Sequence, residues 1–136
     1  MGCKHDERIL FSQFFDNNPD SNHPVYGTEH GIYEPHCGLA NVYLSFGHDE
    51  YMYMVCKDYL PPEALFIIRY HSFYSCHLEG AYAWLLSQQD MQMIKWVKTF
   101  LRYDLYSYSE QVPDLNSIKP FYEELIREYF PDKVRW

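Results

Sequence analysis

The chain has 136 residues, a formal charge of −8, 47% hydrophobic residues and 19% aromatic residues. A chain of this length can bury roughly two thirds of its unfolded surface, so we expect one folded domain over residues 1–136 rather than disorder. The acidic balance and the lack of a basic block exclude a protein that tracks a nucleic-acid backbone.

Neither a membrane segment nor a secretion signal is indicated. No apolar run is long enough to span a bilayer, and the N-terminal "MGCKHDERIL" lacks an apolar signal region. We therefore expect a cytoplasmic protein that does not insert into membranes. Its four cysteines form no zinc or redox spacing and should be reduced.

The first third of the chain is predicted to be irregular. A short strand or turn is expected at Ile9–Phe11, and residues 12–38 are rich in Asn, Pro, Asp and Gly. Apolar residues at helical spacing then predict a short helix from Leu39 to Phe46, ended by Gly47.

Four further helices follow, and strand signals are weak throughout, so the fold class is predicted to be all-α. Proline is tolerated in a first helical turn, which places helix starts at Pro62 and Pro120. Ser87 or Asp90 is expected to cap the longest helix. The predicted ranges are 48–59, 62–73, 87–105 and 120–130.

A histidine lies among the apolar residues of the helix that begins at Pro62. His71 follows Ala64, Ile67 and Ile68 at spacings of seven, four and three residues, so it should share their buried face. A buried imidazole needs a partner on its ring nitrogens, and a metal is one kind of partner.

Asp104 extends the apolar stripe of the longest helix, and His48 begins another helix. A carboxylate removed from water needs a cation or hydrogen-bond donors. Two histidines and one carboxylate form a common ligand set of non-haem iron. The alternative is structural: a core histidine bonded to a carbonyl, an Asp104 that is exposed at a frayed helix end or paired with Arg102 or Lys98, and His48 at a helix junction.

Several blocks then resemble one family. The segments "EPHCGL", "FGHDEYMY", "LPPEA", "RYHSFY", "SQQD" and "DLY", in that order and spacing, closely resemble the C-terminal half of the myo-inositol oxygenases. The likeness runs from "GCK" to Trp136. It implies part of an HD-domain-like helical bundle and an oxidoreductase that uses two irons and O2 to cleave myo-inositol to D-glucuronate.

The resemblance also implies roles for individual residues. His48 and His71 look like ligands of one iron, and Asp104 looks like a ligand of the other. His71 and Ser72 lie where the family contacts substrate, and no catalytic acid or base is assigned. Asp49 is not the family's His-Asp pair, so we expect it to face solvent.

The family's other half would supply the remaining ligands and the lysine that helps to hold inositol. We therefore expect a truncated form that is inactive alone. Its partner would be either that missing half or a second copy, bound through an exposed apolar face. The alternative is a non-catalytic helical fragment or interaction module. An HD-type phosphohydrolase fits less well, because its defining His-Asp pair is absent.

Overall fold

The computed structural model describes residues 11–104 and 112–135, and in that part of the chain all regular structure is helical, as predicted. Four 3-10 turns lie at Ser12–Phe15, Pro19–Asn22, Leu39–Asn41 and Ala83–Leu85. The five α-helices are α1 His48–Cys56, α2 Pro62–Tyr70, α3 Tyr74–His77, α4 Gln88–Asp104 and α5 Leu115–Tyr129.

Residues 11–47 form no regular structure beyond short 3-10 turns, and the helix predicted at Leu39–Phe46 is wrong beyond its first turn. The chain is helical only at Leu39–Asn41 and becomes extended at Val42. Leu39 and Val42 are buried, but Tyr43 and Phe46 are exposed, so no continuous apolar face forms. Tyr43 N–H donates to Tyr33 Oη at 3.0 Å, a contact outside any helix. Of the predicted strand or turn at Ile9–Phe11, Phe11 is a turn, and the two residues before it lie outside the described ranges.

Helices α1 and α2 form a hairpin in which the start of α1 lies near the end of α2. The extended Pro61 and the first-turn Pro62 start α2 where the sequence predicted. The helix ends earlier than predicted, because His71 is its C-cap and Phe73 leaves helical geometry at φ −80° and ψ 55°. The two candidate histidines therefore lie at adjoining ends of the hairpin.

A reciprocal cap begins α4. Asp90 N–H donates to Ser87 Oγ at 3.2 Å, while Ser87 N–H donates to Asp90 Oδ2 at 2.9 Å. Ser87 is thus the capping residue, one of the two predicted. Asp90 is buried, and its Oδ2 also accepts the Leu39 N–H at 3.0 Å. The cap therefore ties α4 to the irregular segment.

Helix α5 begins before its proline rather than at it, which corrects the predicted start. The Asp114 side chain accepts the Asn116 N–H at 3.1 Å and caps the helix at Leu115. Pro120 lies inside the helix. Pro120 is the sixth residue of α5, so its missing N–H removes the helical hydrogen bond to the Asn116 carbonyl.

The core lies between α2, α3, α4 and the two short turns that precede α1 and α4. Leu85 and Val97 are fully buried, and a cluster forms around Leu39, Tyr70, Cys76 and Leu86. Helix α5 contributes no buried residue. Within the described ranges, no helix has the length and apolar character needed to cross a membrane.

Candidate metal centre

The hairpin of α1 and α2 brings His48 and His71 together, although they are far apart in sequence. Their ring centroids are 5.6 Å apart in an edge-to-face arrangement. The His48 side chain is 78% exposed, whereas that of His71 is 21% exposed. His71 also meets the Phe100 ring of α4, with centroids 5.8 Å apart. One histidine is thus held in the helical packing, and the other projects from a helix start.

Asp49 joins the two histidines, and the prediction that it faces solvent is wrong. Its side chain is only 17% exposed. Its Oδ1 lies 2.7 Å from His48 Nε2 and 3.6 Å from His71 Nε2. The three residues present ligand atoms that all lie within 4.8 Å of one another. In the sequence, Asp49 could be recognised only as a carboxylate next to the candidate ligand His48. The hairpin of α1 and α2 is what turns this carboxylate towards the histidines.

The surroundings fix the orientation of two of these side chains. His71 Nδ1 lies 3.1 Å from the Ile68 carbonyl, which can only accept, so Nδ1 carries the proton. In a neutral ring, Nε2 then presents a lone pair towards Asp49. Ser72 Oγ donates to Asp49 Oδ2, which leaves Oδ1 to face the histidines. Such partners behind the ligands are typical of metal sites.

These contacts fit a divalent cation. Asp49 Oδ1 is buried and has no hydrogen-bond partner among the described residues, despite its short distance to His48. Two ligands at about 2.1 Å from one ion are roughly 3.0–3.4 Å apart at octahedral or tetrahedral angles. The distances of 2.7 and 3.6 Å bracket that spacing. Imidazole and carboxylate together suit iron or another first-row metal.

Asp104 lies apart from this group, and its predicted place on a buried face is wrong. It is exposed at the last residue of α4. Its Oδ2 accepts a hydrogen bond from Tyr74 Oη at 3.3 Å. Burial raises the pKa of the Tyr74 phenol, and the charges of Asp104 and then Asp49 raise it further. Tyr74, which sequence reasoning missed, therefore contacts Asp104 and is also influenced by the charge of Asp49.

His77 supports the backbone of His71. His77 is 5% exposed, and its Nε2 donates to the His71 carbonyl at 2.8 Å. Burial lowers the pKa of His77, which favours the neutral ring. This geometry agrees with the structural role expected for a core histidine. A separate open cavity of about 440 Å³, lined by His77, Leu78, Lys98, Leu101 and Arg102, includes none of the three converging residues.

Comparison with known proteins identifies the family. The model of the family described as "Myo-inositol oxygenase" matches residues 1–136. The chain belongs to the myo-inositol oxygenase family. It is 48% identical to inositol oxygenase 5 of Arabidopsis thaliana, 47% identical to the inositol oxygenase of Dictyostelium discoideum and 46% identical to that of Danio rerio.

These matches cover all of the present chain but only part of each relative. They include 44% of the Arabidopsis protein, 48% of the Dictyostelium protein and 50% of the Danio protein. The chain thus spans about half the length of the curated inositol oxygenases that it matches. The family predicted from the sequence blocks is confirmed, whereas the roles of individual residues stay predictions.

Proposed function

We propose that this chain supplies part of an iron centre that uses O2 to oxidise myo-inositol to D-glucuronate. The observation that carries the proposal is the convergence of His48, Asp49 and His71 in a member of the myo-inositol oxygenase family. The buried Asp49 Oδ1, which accepts no hydrogen bond from the described residues yet lies close to both histidine rings, supports a cation at this point. The fold is proposed to be part of an HD-like bundle, and the location is proposed to be the cytoplasm.

His48 and His71 would hold one iron, and Asp104 would offer a carboxylate to a second. Bound iron supplies Lewis acidity and redox chemistry with O2. His71 Nε2 is ready to bind, since its Nδ1–H is fixed on the Ile68 carbonyl. His48 is exposed in the first turn of α1 and would reach the ion from there. Asp49 either completes the first ion's ligands or accepts a hydrogen bond from one of them.

Ser72 is proposed to act in substrate binding beside His71. Its side chain is partly buried, and its hydroxyl donates to Asp49. A hydroxyl both donates and accepts, so its oxygen could still accept a hydrogen bond from a polyol hydroxyl group. Ser72 would then link the polyol to the carboxylate that faces the histidines, orienting the substrate at the metal.

A polypeptide of these 136 residues alone is proposed to be inactive. The exposed face of α5 supports a protein partner, and the family's N-terminal half is the partner we favour. This face carries Leu115, Phe121, Tyr122, Ile126 and Tyr129, all substantially exposed. The second candidate function, a non-catalytic interaction module, is favoured by the same face. Exposed apolar patches of this kind are typical of interaction sites.

Complementation tests the enzymatic proposal. The chain is coexpressed with the part of the Danio rerio inositol oxygenase that it does not match. Iron-loaded samples then receive myo-inositol with or without O2, and D-glucuronate is measured. We expect product only with both polypeptides and O2, abolition by His71→Ala, and no change with the exposed control His23→Ala. A stable complex that holds iron but forms no product would favour the interaction module.

A further inference from the structure

One ion pair joins the two helix ends that carry the converging ligands. Glu50 lies in the first turn of α1, directly after Asp49, and Arg69 lies in the last turn of α2, two residues before His71. Each charge suits the partial charge of its own helix end. The ion pair therefore connects the two helix ends whose relative position sets the distances between the ligand atoms.

The contact is bidentate and partly buried. Arg69 Nε donates to Glu50 Oε2 at 2.6 Å, and Arg69 Nη2 donates to Glu50 Oε1 at 2.9 Å. Both side chains are at least three-quarters buried, with 19% and 25% exposure. The guanidinium also lies 4.3 Å from the centre of the Tyr53 ring and 5.5 Å from that of Tyr70. Two parallel hydrogen bonds fix orientation as well as distance.

We propose that the Glu50–Arg69 pair is the positioning device of the metal centre, setting His48 and Asp49 of α1 against His71 of α2. The inference rests on the proposed function, because it takes the three residues as a metal site. Neither Glu50 nor Arg69 offers a ligand. They act by holding the adjoining backbone, while Ser72 holds the carboxylate itself.

The geometry distinguishes this role from general stabilisation. The Ser72–Asp49 contact between the same helix ends is a single hydrogen bond, which does not fix the rotation of one helix end against the other. The Arg69 guanidinium does fix this rotation, because its two hydrogen bonds meet the Glu50 carboxylate in one plane and it also lies over the Tyr53 ring. Lysine would keep the charge but lose the fork and the stacking. Removing groups that orient metal ligands typically lowers metal affinity by about 10- to 100-fold, which sets the scale expected for this pair.

The test compares Arg69→Gln, Glu50→Gln, their double variant and Arg69→Lys with the matched control Arg127→Gln. Arg127 pairs with Glu123 on a charged side of α5 away from its apolar face, with Nη2–Oε2 at 3.6 Å. Co(II) affinity is measured by visible absorption, and folding by circular dichroism. A metal-free readout is the nuclear Overhauser effect between the His48 and His71 rings, whose centroids are 5.6 Å apart.

We expect Arg69→Gln and Glu50→Gln each to lower Co(II) affinity by about 10- to 100-fold with helix content retained. The double variant should lose little more Co(II) affinity than either single variant, because each single substitution already breaks the same ion pair. Arg69→Lys should lie between wild type and Arg69→Gln. The ring contact should weaken in the same order, and Arg127→Gln should match wild type in every readout.

Failures of the two proposals are distinguishable. Unchanged Co(II) affinity and an unchanged ring contact in folded Arg69→Gln and Arg69→Lys would overturn the positioning role. A wild-type chain that binds no Co(II), but whose ring contact is lost in Arg69→Lys, would support the positioning role and contradict the metal site. Equal losses in Arg127→Gln would show general destabilisation and also overturn the inference.

Discussion

Replacing Asp90 should destabilise the whole fold, because one carboxylate oxygen accepts three hydrogen bonds. Asp90 Oδ2 accepts the Leu39 N–H at 3.0 Å, the Ser87 N–H at 2.9 Å and the Ser87 hydroxyl at 2.7 Å. Leu39 is 2% exposed, so water cannot replace the lost acceptor at its N–H. An unsatisfied buried donor costs about 1–3 kcal/mol. A lost helix cap costs about 1 kcal/mol.

We therefore expect Asp90→Ala to lower the free energy of unfolding by about 3 kcal/mol, a large part of a typical total of about 5–15 kcal/mol. Asp90→Asn keeps one carbonyl acceptor in place and should cost about half as much. The measurement is urea unfolding followed by far-ultraviolet circular dichroism. Asp58→Ala, an exposed change in the link between α1 and α2, is the control and should leave the midpoint unchanged. A loss below about 1 kcal/mol in Asp90→Ala would refute the reasoning.

Two further predictions concern alkaline pH and the α5 face. Burial raises the pKa of the Cys76 thiol from 9.0 to about 11 and that of Tyr70 from 10.0 to about 12. The unfolded chain ionises first, so stability should fall as pH rises from about 9 to about 12. Urea midpoints should show Cys76→Ala losing the pH 9–11 part of this fall, and an unchanged profile would contradict it. Ile126→Glu places a charge on the apolar α5 face and should reduce both dye binding and self-association. ANS fluorescence and sedimentation measure these two properties. Equal values in Ile126→Glu and wild type would show that this face mediates neither.

Helices were predictable where one apolar stripe and one local cap act together. The Ser87–Asp90 cap and the apolar positions of α4 are local in sequence, and both are found as expected. The helix predicted at residues 39–46 does not form beyond its first turn, because two of its apolar residues are buried without a continuous helix. Leu39 and Val42 are buried after a single turn, and Asp90 holds the Leu39 backbone from another helix. No local pattern contains that contact.

The candidate site was only partly predictable for the same reason. His71 was expected on a buried face, and the structure places it partly buried beside His48. Asp104 was placed on the apolar stripe of the longest helix, but it is exposed at the last residue of α4 and contacts the edge of α3 through Tyr74. Asp49 was expected in solvent, yet the hairpin turns it onto the histidines. Periodicity shows which face a residue occupies, whereas convergence depends on how two helix ends meet.

Metal binding by the wild-type chain tests the central claim most directly. The chain is loaded with Fe(II) under anaerobic conditions, and bound iron per chain is counted for wild type, His71→Ala and the exposed control His23→Ala. The account predicts about one iron in wild type and in the control, held where His48, Asp49 and His71 converge, and none in His71→Ala. No iron in the folded wild type, or iron retained by His71→Ala, would contradict it.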